Sequence, residues 1–241
     1  MKKVYLTAYI GDNLGDDLFL DILARRYKET VFSIYTLQKS EARFPENIEL
    51  VMSPKERKYI YKLKWIDAIA NKVWLHFNLA ERYFEKRKKS LINQSDCVVY
   101  IIGSGFMEKG SVLESDAFYE SHPYVLGCNF GPYESQSFYD KCYSHFTMAS
   151  DVCFRDSDSE KLFSDLPNVR SDMDVVLNYD GEAIAPSQAL FENYILISVM
   201  NIEKDKNNAD LNGQYIEFIK KCIKELLEMC IRDRRSVRLG S

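Results

Sequence analysis

No cysteine in this sequence stands three positions from another, and none pairs with a nearby histidine at metal-ligand spacing. The six cysteines, at 97, 128, 142, 153, 222 and 230, therefore read as neither a metal site nor a redox motif. Several lie in apolar, strand-like runs and are expected as buried, reduced thiols. No apolar run approaches the roughly 18 residues of a membrane-spanning helix. Val4–Ile10, behind the basic start Met1-Lys2-Lys3, is too short for a secretory leader. These two absences predict a cytoplasmic protein. The net charge is −4 and the pI is near 5.6, so nucleic acid is not expected as the main partner. No Gly-x-Gly-x-x-Gly opens the first helix and no acidic ribose partner is evident, which makes a dinucleotide oxidoreductase a weak reading.

What is present is ordinary globular composition, 46% hydrophobic and 28% charged over 241 residues, enough for one large α/β domain or two small ones. The most informative stretch is Tyr9-Ile-Gly-Asp-Asn-Leu-Gly-Asp-Asp-Leu18. Val4–Ile10 before it reads as a buried strand. Gly11 and Gly15 break that pattern, and Leu18, Ile22, Leu23 and Tyr27 then return at helical spacing. The chain thus runs strand, glycine loop, helix, with Asp16 or Asp17 as the expected N-cap. Such a turn aims backbone N–H groups at a ligand, although Asp12, Asp16 and Asp17 argue against a loop that simply wraps a phosphate.

Further strands are expected at Val31–Tyr35, Ile48–Met52, Cys97–Ile102, Tyr124–Gly127, Asp151–Phe154, Asp174–Leu177 and Tyr194–Val199. Helices are expected at Asp17–Tyr27, Ile66–Asn93, Ser135–Met148, Asp158–Phe163 and Gln214–Met229. The alternation predicts an α/β fold, a Rossmann-like, mainly parallel sheet with flanking helices. Ligands on such sheets gather beyond the carboxyl ends of the strands. There the chain carries Gly103-Ser-Gly-Phe-Met, Gly127-Cys-Asn-Phe-Gly-Pro-Tyr and Arg155-Asp-Ser-Asp-Ser159. With the first loop, four strand ends bear glycine, an amide or a charge. Any one of them is weak, and the set is more specific.

As a set they resemble the polysaccharide pyruvyl transferase family. The matching pieces are Asn13-Leu-Gly-Asp16, Gly103-Ser-Gly105, Gly127-Cys-Asn-Phe-Gly-Pro132 and Arg155-Asp-Ser-Asp-Ser159, over roughly residues 4–200. The resemblance implies two Rossmann-type domains facing each other as in GT-B glycosyltransferases. It implies transfer of a pyruvyl group from phosphoenolpyruvate to two hydroxyls of a sugar or lipid-linked oligosaccharide, giving a cyclic ketal and phosphate with no cofactor or metal. Phosphoenolpyruvate needs cationic clamps and backbone donors. Arg155 suits a carboxylate or phosphate, and Asn13, Gly15, Gly103, Ser104, Gly105, Asn129 and Ser159 are the accompanying substrate-binding candidates. Asp16 and Asp156 are candidates for the acid and base.

Each of these has a plainer reading. Arg155-Asp156 reads equally as an ion pair capping a helix, Asn13 and Asp16 as loop braces, and Asn129 as a turn anchor. His76, inside the expected long helix, His122 and His145 read as structural. The catalytic His and Arg that the family implies belong to the later part of the second domain, and no matching stretch is seen. Residues 1–185 are expected as the GT-B-like N-terminal Rossmann-like domain, 186–230 as the start of a truncated second one, and 231–241 as an artefactual or solvated tail. A nucleotide-sugar glycosyltransferase and a non-catalytic binding fragment remain alternatives.

Residues 54–91 hold eleven Lys or Arg against four acids, with Trp65, Trp74, Phe77, Tyr83 and Phe84 interleaved. One reading is peripheral contact with anionic lipid at the inner membrane face. The other, favoured by pattern alone, is a long helix with its aromatics in the core and its cations solvated.

Overall fold

Short runs of β-branched and aromatic residues build the sheet. They are β1 (Lys2–Ala8), β2 (Thr30–Ile34), β3 (Ile48–Leu50), β4 (Cys97–Ile101), β5 (Tyr124–Cys128), β6 (Asp151–Phe154) and β7 (Val169–Ser171). The structure, a computed structural model, describes residues 1–10, 13–38, 44–72, 74–109, 113–179 and 212–238. The chain divides into two units, Met1–Ala183 and Ile184–Ser241. The first holds the seven strands, all paired in parallel, in the order β3-β2-β1-β4-β5-β6-β7. Strand order reverses between β1 and β4, the arrangement that opens a crevice at the strands' carboxyl ends.

The sheet is buried on both faces, so its strands read as continuous apolar runs. Val98 and Tyr100 of β4 enter one core with Tyr5, Val125, Val152 and Phe154, while Val99 and Ile101 enter the other with Val4, Leu6, Phe32 and Ile34. The second core is closed by Phe19 and Leu20 of α1 (Leu14–Arg26). The first is closed by α2 (Pro54–Lys72), α3 (Leu79–Ile92), α4 (Asp116–Tyr119), α5 (Gln136–Met148) and Phe163, just past α6 (Ser157–Leu162). Its densest part is aromatic. The fully buried Phe163 ring lies 4.8 Å from Phe130, 4.9 Å from Phe146 and 5.0 Å from Tyr139.

Several sequence expectations are corrected. The long helix expected at Ile66–Asn93 is two helices. Helix α2 starts earlier, with Ser53 Oγ accepting the Glu56 N–H at 3.1 Å and Pro54 in the first helical position. It stops at Lys72, and Trp74 and Asn78 take φ of 63° and 51°. The Asp67 carboxylate accepts the Leu79 and Ala80 N–H groups, each at 2.9 Å, and starts α3. His76 therefore sits in the break, not in a helix. Asp174–Leu177 is not a strand. The Asp174 side chain accepts the Val176 N–H at 3.1 Å and winds a 3₁₀ turn, Val175–Asn178. The seventh strand is β7, whose Arg170 holds Asp151 of β6 through two bonds of 3.0 Å. Tyr194–Val199 lies outside the described residues. In the second unit, α7 runs Asn212–Arg238, through a stretch in which the sequence shows no helical period.

Candidate functional site

The loops after β1, β4 and β6 meet at the carboxyl end of the sheet, around the β1/β4 crossover point. They enclose a cavity of about 400 Å³ lined by Tyr9, Asn13, Gly15, Asp16, Phe19, Ile102, Gly103, Ser104, Met107 and Arg155. Arg155 directly follows β6, where its N–H bonds the Cys128 carbonyl at 2.9 Å. Its guanidinium donates to Asn129 Oδ1 at 2.8 Å, to Ser104 Oγ at 3.4 Å and to Asp174 Oδ2 at 3.3 Å. The side chain remains 29% exposed. Three loops thus aim one cation at the cavity, and each oxygen narrows the directions the planar fork can take. A β-carbon on Gly103 would lie 3.1 Å from Arg155 Nη1, so a glycine here lets the guanidinium rest against the end of β4.

The start of α1 supplies the opposite charge. Asn13, not Asp16 or Asp17, is the N-cap, because its Oδ1 accepts the Gly15 N–H at 3.1 Å. Its amide also donates to Asp16 Oδ2. Asp16 Oδ1 accepts the Gly103 N–H at 3.4 Å and so ties α1 to the β4 loop. Burial raises the Asp16 pKa above its ordinary value, and nearby Asp17 adds to the rise. The Gly103 N–H and the Arg155 charge pull the other way without cancelling it. A carboxyl that keeps its proton to higher pH, beside a guanidinium, is suited to proton transfer at a bound anion.

The expected site residues divide. Asn13, Gly15, Asp16, Gly103, Ser104 and Arg155 line one cavity, and Asn129 holds the guanidinium from its edge while donating to the Gly131 carbonyl at 3.3 Å. Gly105, Asp156 and Ser159 do not line it. A β-carbon at Gly105 would come within 1.9 Å of the Tyr100 hydroxyl, so that glycine serves the core. The partner of Arg155 is Asp174, not Asp156. Asp156 instead caps α6, accepting the Ser159 N–H at 2.7 Å and the Ser159 hydroxyl at 2.9 Å. Ser159 Oγ in turn accepts the Phe130 N–H at 2.8 Å. Tyr9, Phe19, Ile102, Met107 and Asp174 are absent from the sequence expectation. Tyr9 and Ile102 directly follow β1 and β4, which is a usable signal; Asp174, in a segment that reads as a strand, gave none.

Tyr9 also lines an adjoining cavity of about 340 Å³ over β1 and β2, with Thr7, Thr36, Gln38, Lys88 and Glu114. There the buried Lys88 ammonium bonds Glu114, whose other oxygen accepts the Thr7 hydroxyl at 2.7 Å. The histidines lie elsewhere. His122 bonds the Met148 carbonyl, and His145 is buried against the Tyr119 ring at 4.1 Å. Cys128, Cys142 and Cys153 are buried and unbridged, and burial pushes the Cys142 thiol up to about 12. Among the described residues no group of three His, Cys, Asp or Glu side chains could hold a metal ion. Nor is any helix among them long and apolar enough to cross a membrane.

A seven-stranded parallel sheet with a cavity at the crossover point defines a Rossmann-like α/β protein. The chain belongs to the polysaccharide pyruvyl transferase family, whose model matches residues 13–237. Membership makes it a transferase-family protein of polysaccharide synthesis and implies a pyruvyl donor and a polysaccharide acceptor. No curated protein and no solved structure matches the chain.

Proposed function

We propose that the first cavity binds phosphoenolpyruvate and that the protein transfers its pyruvyl group to a sugar diol. The observation that carries this reading is Arg155, held by Asn129, Ser104 and Asp174 from separate loops and facing a cavity sized for a small dianion. In the reaction a proton adds to the methylene carbon. One sugar hydroxyl adds at the adjoining carbon, the second displaces phosphate, and a cyclic ketal forms. Of the two protons released by the hydroxyls, one balances that on the methyl group and the other leaves with phosphate. Arg155 holds the carboxylate or phosphate. Asp16, with its raised pKa, handles a proton. Asp156 and Ser159 hold the Arg155 loop against Phe130. The adjoining cavity past Tyr9 supports approach of a sugar or lipid-linked oligosaccharide from the β1/β2 side. We place the reaction in the cytoplasm.

Calorimetric titration of phosphoenolpyruvate into the full chain tests the reading. Arg155→Ala is expected to weaken binding by about tenfold or more, since a charged hydrogen-bonding group is worth roughly 1.5–3 kcal/mol. Arg155→Lys, a point charge without the fork, is expected to recover part of it. Unchanged affinity in Arg155→Ala would remove the guanidinium from the site. A glycosyltransferase reading makes a different demand: a nucleoside diphosphate would raise the melting temperature and phosphoenolpyruvate would not.

A further inference from the structure

Helices α2 and α3 put Ile60, Leu63, Ala70, Ala80 and Ile92 inward against the first core. Their outer surface is not an ordinary solvated face. Tyr61, Trp65 and Ile69 follow one another along α2 at helical spacing, all exposed. The turn beyond α2 adds exposed Trp74, Leu75 and Phe77. Trp65 is 66% exposed and Trp74 87%, and the chain has no other tryptophan. Scattered apolar residues on a surface are normal, but a contiguous aromatic stripe marks a binding face.

The charge around that stripe is one-sided. Lys58, Lys62, Lys64 and Lys72 are exposed among the aromatics, with Lys64 Nζ 6.0 Å from the Tyr61 ring centre. The acids of the segment are mostly committed inward. Glu56 accepts the Tyr35 and Tyr83 hydroxyls, Asp67 caps α3, and Glu85 bonds Lys88 and Ser115; Glu81 alone is exposed. The face is therefore cationic although the chain is net acidic.

We infer that the outer face of α2 and the turn after it dock on an anionic lipid surface. Indole rings settle at the headgroup level, Ile69 and Leu75 reach the acyl boundary, and the lysines extend to lipid phosphates. A second copy is the poorer occupant, because a two-fold interface would set this cationic face against itself. Single-stranded nucleic acid would use the rings and the charge but leave Ile69 and Leu75 without a role. The inference stands apart from pyruvyl transfer and fails separately from it.

The test uses the full chain with vesicles of phosphatidylcholine alone, or mixed equally with phosphatidylglycerol. Co-sedimentation is expected to be stronger on the anionic vesicles by about tenfold or more, and to weaken with salt. Tryptophan emission is expected to move to the blue on binding. Trp65→Phe and Trp74→Phe each leave a single reporter, and lipids brominated on the acyl chains are expected to quench both. The triple variant Lys58→Glu, Lys62→Glu, Lys72→Glu is expected to lose binding by about tenfold or more, with its circular dichroism and melting temperature kept. Several results would overturn the inference. These are equal binding to neutral vesicles, a triple variant that folds and binds like wild type, or no quenching in either single-tryptophan protein. Concentration-dependent dimerisation that shields the tryptophans without vesicle binding would assign the face to a second copy. Preferential binding of a short oligonucleotide would assign it to nucleic acid.

Discussion

At the scale of single residues, His145 shows how a titratable ring can be structural. Its Nε2–H donates to Asp116 Oδ1 at 2.8 Å, and its ring stacks on Tyr119 inside the first core. Burial holds its pKa below the ordinary 6.5, outweighing the upward pull of Asp116. As the pH falls below 6.5, the unfolded chain takes up a proton that the folded chain refuses. The stability this group allows is therefore whole above that pH and is lost as the pH falls towards the lower folded value. Urea unfolding between about pH 7 and 5 should show wild type losing stability more steeply than His145→Phe, which keeps the stack without the charge. Equal slopes would mean that the ring titrates as freely folded as unfolded. The same scale limits what sequence can tell. Gly103 and Gly105 belong to one Gly-Ser-Gly motif and look equivalent there. Only the positions of Arg155 Nη1 and of the Tyr100 hydroxyl assign one to the cavity and the other to the core.

Elements follow local chemistry where the chemistry lies within them. Ser135 before Phe138 is a cap that sequence carries openly, whereas Asn13 before Gly15 and Ser53-Pro54 with Glu56 have the same chemistry but lie where the sequence pattern points instead to Asp16 or Asp17 and to a start at Ile66. The break between α2 and α3 is different. It contains neither proline nor glycine, and the basic and aromatic pattern continues across it, so the segment reads as one helix. What starts the next helix is a contact from twelve residues earlier, the Asp67 carboxylate reaching two of its N–H groups. Asp67→Ala leaves both donors partly buried without that partner. It should cost about 1–2 kcal/mol in urea unfolding. Asp67→Asn, which keeps one acceptor oxygen, should recover roughly half of that loss. If Asp67→Ala unfolds at the wild-type midpoint, solvent satisfies those two groups and the carboxylate does not set that start. The short β7 was illegible for another reason. Three residues do not establish an alternating pattern, and its register comes from Arg170 reaching Asp151 on β6.

Across the whole first unit, the sheet was readable because buried parallel strands are the most apolar runs in the chain. The cavity was readable in part because the crossover point gathers strand ends. Asn13, Gly15, Asp16, Gly103, Ser104 and Arg155 come together from three loops spread over 143 residues of sequence, joined by Asp16 to Gly103 and by Arg155 to Ser104. Phe19 and Met107 depend on packing between elements and carried no such signal. This convergence has a consequence for exchange of backbone hydrogens in the full chain. If phosphoenolpyruvate bridges the loops, amides at residues 13–17, 103–105 and 155–159 should slow together as ligand is added. The upper limit is about 100-fold at a ligand concentration 100 times Kd, for amides that exchange only through openings that destroy the site. Amides of α2 and α3, which contribute no residue to this cavity, should not change with this ligand. Arg155→Ala should abolish the slowing in all three segments at once, because the guanidinium is the group they share. Slowing confined to one loop would make the cavity a local anion contact, and slowing spread evenly over the sheet would make the ligand a general stabiliser; neither is compatible with a dianion gripped between the ends of β1, β4 and β6.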